Sequence, residues 1–144
     1  MADTRVIPGE LATPGFGTLL DSWRQIVATG NLPKGRAIDG LSRWLLITRA
    51  CVFSMTLTSG LIGGLLAAAT AAAPRWGYFA LALLGLVIAH AANNMINDYF
   101  DLAGGVDTAE YTRALYAPHP ILSGLITKRG LLAAISPERI GCGA

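Results

Sequence analysis

The residues best suited to chemistry lie between His90 and Asp107. There an uncharged run passes into Asn94, Asn97, Asp98 and Asp101, and Asp107 follows a Gly104-Gly105-Val106 step. On a helix, side chains three and four positions apart share a face. His90, Asn94, the Asn97/Asp98 pair and Asp101 keep that spacing and form a polar stripe on an otherwise apolar helix. Ala91, Met95, Ile96, Tyr99 and Phe100 fall between them and are expected to face lipid or other helices. Gly104-Gly105 permits a tight turn, which would bring Asp107 back towards Asp98 and Asp101. Three carboxylates so gathered repel one another unless a cation joins them or some are protonated. Carboxylate and amide oxygens are hard ligands that suit Mg2+ or Ca2+, and Mg2+ completes its shell with water and phosphate oxygens. Asp98, Asp101 and Asp107 are therefore the expected metal ligands, and a lipid diphosphate is the expected guest. The bland reading, ordinary loop carboxylates after a spanning helix, fits Asp107 better than it fits Asp98 and Asp101. His90 reads as a histidine hydrogen-bonded to a neighbouring helix rather than as a ligand. Arg49 reads as an arginine reaching for the membrane surface, with a diphosphate contact as the sharper alternative, and Arg113 is a second cationic candidate. Lys128 and Arg129 read first as membrane-surface anchors.

The elements that must position these residues are written in the composition. Of 144 residues, 53% are hydrophobic and only 14% charged, and the mean hydropathy is +0.50. A water-exposed surface needs more charge than that, so an all-α integral membrane protein is the expected class. The net charge of +2 offers no basic stripe for nucleic acid. Cys51 and Cys142 lie far apart and outside any Cys-x-x-Cys spacing, which argues against a disulfide or a zinc site.

Residues 1–40 are a mixed polar and amphipathic segment. Phe16, Leu19, Leu20, Trp23, Ile26 and Val27 recur at helical spacing and predict a short helix at the membrane surface. Ala50 to Ala73 and Gly77 to Ile96 carry no Lys, Arg, Asp or Glu, and each is long enough to cross a bilayer. Spanning helices are expected over about 47–73 and 77–97, joined as an antiparallel hairpin by Pro74-Arg75-Trp76, with an aspartate-rich loop over 97–120. Gly60, Gly63 and Gly64 supply the small-residue face on which helices pack closely in lipid. Lys34, Arg36, Arg43 and Arg49 precede the first span, Arg113, Lys128 and Arg129 follow the second, and only Arg75 lies between. That bias places the N-terminus and the aspartates on the cytoplasmic side of a cytoplasmic (inner) membrane. Gly130 to Ile135 starts a third helix, and the polar tail over 136–144 breaks it off, as expected of a truncated or frame-shifted chain.

Asn94-x-x-Asn97-Asp98-x-x-Asp101 followed by Gly-Gly-Val-Asp107 resembles the first aspartate-rich motif of the UbiA family of membrane prenyltransferases. The Asn-Asp-Tyr-Phe-Asp and Gly-Val-Asp pieces are similar to the branch that prenylates 1,4-dihydroxy-2-naphthoate in menaquinone synthesis. His119-Pro-Ile-Leu-Ser-Gly124 is similar to the segment that follows, although the family more often has arginine where His119 stands. The resemblance covers roughly residues 41–135. It implies a UbiA-like helical bundle of about nine spans with a second aspartate-rich motif, of which this chain holds the hairpin and the first motif. It further implies Mg2+-dependent transfer of a polyprenyl group from its diphosphate to an aromatic acceptor, of ubiquinone or menaquinone type. Asp98 and Asp101 would be catalytic through the metal, and Asn94, Asn97, Arg49 and Arg113 would contact the diphosphate. One motif of two implies no turnover by this chain alone. Two readings from other classes stand beside it: a non-catalytic membrane subunit or divalent-cation-binding protein, and a cation-conducting hairpin oligomer, for which the stripe is short and one-ended.

Overall fold

The computed structural model of the protein describes residues 15–32, 35–70, 73–106 and 117–135. Every regular element among them is helical. In chain order these are α1 (Phe16–Thr29), α2 (Gly40–Ile47), a 3-10 turn (Ala50–Val52), α3 (Phe53–Thr70), α4 (Trp76–Ala103) and α5 (Lys128–Ile135).

The α1 helix follows the apolar spacing of its sequence, but its inner face meets protein. Ile26 is fully buried, whereas Phe16, Leu20 and Val27 stay exposed, and α1 packs on α2 and on the 3-10 turn. It ends at Gly30, whose φ of 75° places it in the left-handed region that glycine enters without steric cost. The Cys51 sulfur lies 3.1 Å from where a Gly30 Cβ would stand. A side chain there would meet both obstacles. Asp39 starts α2 by accepting from the Leu41 and Ser42 amides at 2.9 and 3.0 Å, the N-cap role that short oxygen side chains fill. Its carboxylate also accepts from the Ser42 hydroxyl and from the Trp23 indole at 3.3 Å. Burial alone would raise the Asp39 pKa; these hydrogen bonds, led by Ser42, outweigh it and hold the carboxyl below its usual value.

The hairpin of α3 and α4 is antiparallel, and its register is set by two glycines. A Cβ at Gly60 would run into Leu83, and one at Gly64 into the Phe79 ring. Leu83 and Phe79 therefore fill notches that only glycine leaves open, the close approach expected of packing without a hydrophobic driving force. Gly63 has nothing within 4 Å of its would-be Cβ and takes no part in this contact. Thr56 and His90 close the other end of the hairpin through a hydroxyl–Nδ1 hydrogen bond, and the Phe53 ring lies 5.6 Å from the imidazole. The expected hydrogen bond of His90 to a neighbouring helix is present.

Two helices, Ala50–Thr70 and Trp76–Ala103, are long and apolar enough to cross a membrane, with mean hydropathies of 1.7 and 1.8. α3 buries no residue, and α4 buries only Asn94, Met95 and Asp98. A core helix of a water-soluble domain would hide such a surface; here Met55, Ile62, Leu65, Leu81 and Ile88 all point outward.

The buried core lies at one end of the hairpin. Ile26, Leu46, Ile47, Met95, Leu125 and Leu131 form it, with Leu32, Ile38, Tyr99 and Ile121 packed around them. α1, α2, the last turns of α4, the 119–127 turn and α5 thus converge where the aspartates are.

Two boundaries differ from the expected ones. The first apolar run is not one helix from about 47: it breaks at Thr48 and Arg49 and resumes through the 3-10 turn. The second does not end at 97: α4 continues to Ala103, so Asp98 and Asp101 are helical rather than part of a loop. At 1.5 Å per residue α4 is about 42 Å long against roughly 30 Å of hydrocarbon, and its surplus turns are the ones that carry the carboxylates.

Candidate functional site

Asp98 is fully buried, and a cation that helps to make this tolerable comes from the break in the first apolar run. Arg49 Nε donates to Asp98 Oδ2 at 3.2 Å, and its terminal nitrogen pairs with Oδ1. The fork meets both carboxylate oxygens, the geometry in which arginine pairs most strongly. The Arg49 side chain is 24% exposed against 0% for Asp98, so the pair opens towards the outside on the arginine side.

Arg49 reaches Asp98 from an unfavourable backbone. Its φ and ψ of 55° and 52° are left-handed, and it is the one non-glycine residue with positive φ among the described residues. That conformation costs about 1–2 kcal/mol for a residue with a Cβ. The break is held on both sides: the Arg49 amide donates to the Leu46 carbonyl at 3.1 Å, and the Val52 amide to the Arg49 carbonyl at 3.1 Å. A third hold comes from α4, where the Asn94 amide Nδ2 donates to the Thr48 carbonyl at 3.0 Å.

The polar stripe is only partly as the spacing suggests. Asn94 and Asp98 turn inward and are buried, Asp101 is half-buried, and Asn97 is exposed. Asn97 therefore sits at the edge of the face rather than on it. Met95, expected to face lipid or other helices, packs in the core with residues of α1, α2 and α5, and Phe100 is exposed. After Asp101 the helix closes as the Gly104-Gly105 step predicts. Gly105 has φ 71°, the Val106 amide donates to the Asp101 carbonyl at 2.9 Å and the Gly105 amide to the Leu102 carbonyl at 3.3 Å. This paired closure is the Schellman arrangement. Asp107 and Arg113 lie outside the described residues, as does Cys142.

Across the site, Lys128 at the start of α5 places its Nζ 5.0 Å from the centre of the Tyr99 ring, a cation–π contact. Arg129 is exposed at the same helix start. The 119–127 turn is folded by His119, which is buried beside Pro120. Its Nδ1 accepts from the Ile121 and Leu122 amides at 3.2 and 3.3 Å, so in the neutral ring the proton is on Nε2. The Ser123 hydroxyl and amide both donate to the His119 carbonyl, and Gly124 completes the turn with φ 73°. An imidazole engaged in this way organises a turn.

Carboxylate and amide oxygens are donors of the kind Mg2+ takes, but Asp98 is fully enclosed and both its oxygens face Arg49, so a cation at Asp98 would have to displace the arginine. Asp98 and half-buried Asp101 stand one helical turn apart on α4, and the Asn94 amide Nδ2 is committed to Thr48. No group of three or more His, Cys, Asp or Glu side chains comes together among the described residues. Two carboxylates are within what Mg2+ uses when phosphate supplies the remaining oxygens.

Two features were not foreseen from the sequence. One is the pairing of Arg49 with Asp98. The other is the Trp23–Asp39–Ser42 network that ties α1 to the start of α2. Asp39 carried a readable signal, a short oxygen side chain just before an apolar helical run. The pairing of Arg49 carried none, since it joins residues 49 positions apart. A scan against protein-family models found no match, and neither did searches of curated proteins and of solved structures. Over the described residues, fold and site together define an all-helical arrangement with two helices of membrane-spanning length and a partly buried arginine–aspartate pair at one end of their hairpin.

Proposed function

We propose that this chain provides the first aspartate-rich half of a UbiA-like prenyltransferase site in a cytoplasmic membrane, with the N-terminus and the aspartates on the cytoplasmic side. The observation that carries the reading is the position of Asp98 and Asp101: one face of α4, beside an arginine, at the end of an apolar hairpin. Mg2+, when bound, would neutralise the charge that collects on a departing diphosphate. Asp98, Asp101 and Asp107 would hold it. Arg49 and Arg113 would add positive charge where the diphosphate oxygens lie, and Asn97 would donate from the exposed edge. The apolar flank of the hairpin would accept the polyprenyl chain, and an aromatic acceptor of the naphthoate or hydroxybenzoate kind would take the prenyl group. The second aspartate-rich motif that such a reaction uses would come from outside these 144 residues.

The test is equilibrium binding of farnesyl diphosphate to the detergent-solubilised chain. Binding is expected with Mg2+, to be lost in EDTA, and to be weakened in Asp101→Asn. Prenyl transfer by this chain alone is expected to be undetectable. Binding that is indifferent both to EDTA and to Asp101→Asn would overturn the reading. It would favour the second one, a non-catalytic membrane-anchored subunit, which the complete burial of Asp98 against Arg49 supports: a carboxylate so enclosed can serve as a purely structural ion pair.

A further inference from the structure

We propose that Asn94 is a positioning residue for Arg49: by gripping the Thr48 carbonyl it fixes the backbone break that aims the guanidinium at Asp98. This deepens the reading above by reassigning Asn94 from the diphosphate to the chain itself, and it stands on contacts that need no ligand.

Three observations carry it. The Asn94 side chain is buried, and its one donor group lies 3.0 Å from a main-chain carbonyl in a different element. That carbonyl belongs to the residue immediately before the strained Arg49. Asn94 and Asp98 are one turn apart on α4, so the helix holds the break at two successive residues, Thr48 through Asn94 and Arg49 through Asp98. A left-handed arginine reverts to ordinary helix unless its surroundings over-determine it. With α2 and α3 otherwise free to merge into one continuous helix, the guanidinium would swing away from Asp98. The Asn94 hold opposes this, and it acts on the backbone rather than on the arginine side chain.

The experiment reads the exposure of Arg49 directly. The detergent-solubilised chain, without diphosphate or Mg2+, is treated with phenylglyoxal, and modification of each arginine is followed by peptide mass spectrometry. Asp98→Asn sets the scale by weakening the pair. Asn94→Leu, similar in size and unable to donate, is expected to raise the Arg49 modification rate about fivefold, the factor that loss of one net hydrogen bond supplies, while Arg43 and Arg75 keep their rates. Asn94→Gln, which restores an amide donor, is expected to recover part of the protection. Thr48→Ala keeps the carbonyl and is expected to leave protection unchanged, since Asn94 grips the main chain. An unchanged Arg49 rate in Asn94→Leu overturns the proposal, and so does an unchanged rate in Asp98→Asn, which would mean that the pair does not protect Arg49. A general rise at every arginine in Asn94→Leu would show a collapse of the fold and would also count against a local positioning role. Failure of farnesyl diphosphate to bind the unaltered chain would sink the prenyltransferase reading and leave this result standing.

Discussion

The two ends of the α3–α4 hairpin are stabilised by different means. At the aspartate end, Ile26, Leu46, Ile47, Met95, Leu125 and Leu131 bury one another, and side-chain hydrogen bonds tie α1 to α2 and the Thr48–Arg49 break to α4. Along the stem, almost nothing is buried and two glycine notches carry the contact. The first arrangement is that of a small protein core, driven by the removal of apolar surface from water. The second is stable only where the surroundings are themselves apolar, as in a bilayer or among further helices. The comparison teaches where charge is affordable in this chain. Asp98 is fully enclosed at the end that owns a core, a cation and a strained turn to hold it, and the stem has no acidic or basic side chain along α3.

The largest effect should come from breaking the ion pair at the aspartate end. Arg49→Ala leaves Asp98 buried without this partner and is expected to cost about 3–5 kcal/mol, read as a loss of resistance to denaturant of the solubilised chain. Replacing both members, Arg49→Met with Asp98→Leu, should recover most of it, because two apolar side chains do not need each other's charge. Recovery by the double variant separates a structural pair from a misfolded site. If the single variant were as stable as the parent, the two ends would not differ in the way described.

The stem should respond to volume and not to charge. Gly64→Val drives a side chain into the Phe79 ring and is expected to cost about 1–3 kcal/mol as overpacking, with Phe79→Ala restoring part. Gly63→Ala meets nothing and is expected to be neutral or slightly stabilising. Thermal unfolding in detergent distinguishes the two, and equal responses at 63 and 64 would refute the assigned helix faces.

The smallest effect is a pH dependence confined to the aspartate end. The Asp39 pKa is lowered in the folded chain. A lowered value means that its contribution is present in full above the unfolded carboxyl value, about 3.9, and is lost as pH falls from there through the folded value. Stability should therefore decline below about pH 4, and Asp39→Asn should flatten that part of the decline. Asp39→Ala removes the cap at every pH, at a cost of about 1 kcal/mol, measured by denaturant titration at neutral pH.

Local rules read local features well. The apolar spacing of Phe16 to Val27 gives a helix because its period is set by the backbone, and the Gly104-Gly105 step gives a helix end because few other residues accept positive φ. The helix beginning near Gly130 is present too, and starts two residues earlier, at Lys128. The stripe from Asn94 to Asp101 is legible because three- and four-residue spacing needs nothing but a helix. The same rules fail at Arg49. An uncharged run continues on its far side, and nothing in its neighbours signals a break. Its conformation is stabilised by a carboxylate and an amide that arrive from α4, and local preference yields to such contacts. His119 is a similar case: the surrounding residues suggest a loop, while the side chain's role as acceptor for two amides follows from how that loop is folded.

By itself the sequence determined two apolar segments of membrane-spanning length, a short turn between them, a charge bias across that turn and a face of amides and carboxylates at the end of the second helix. Each depends on composition or on spacing within a few residues. Tertiary structure decided which glycines of the Gly60–Gly64 group touch a partner, that Asp98 is enclosed while Asn97 is not, and that Arg49 completes the site from a break in the first apolar run. Those are properties of surfaces meeting across dozens of residues, and the energies that select them exist only once the helices are packed.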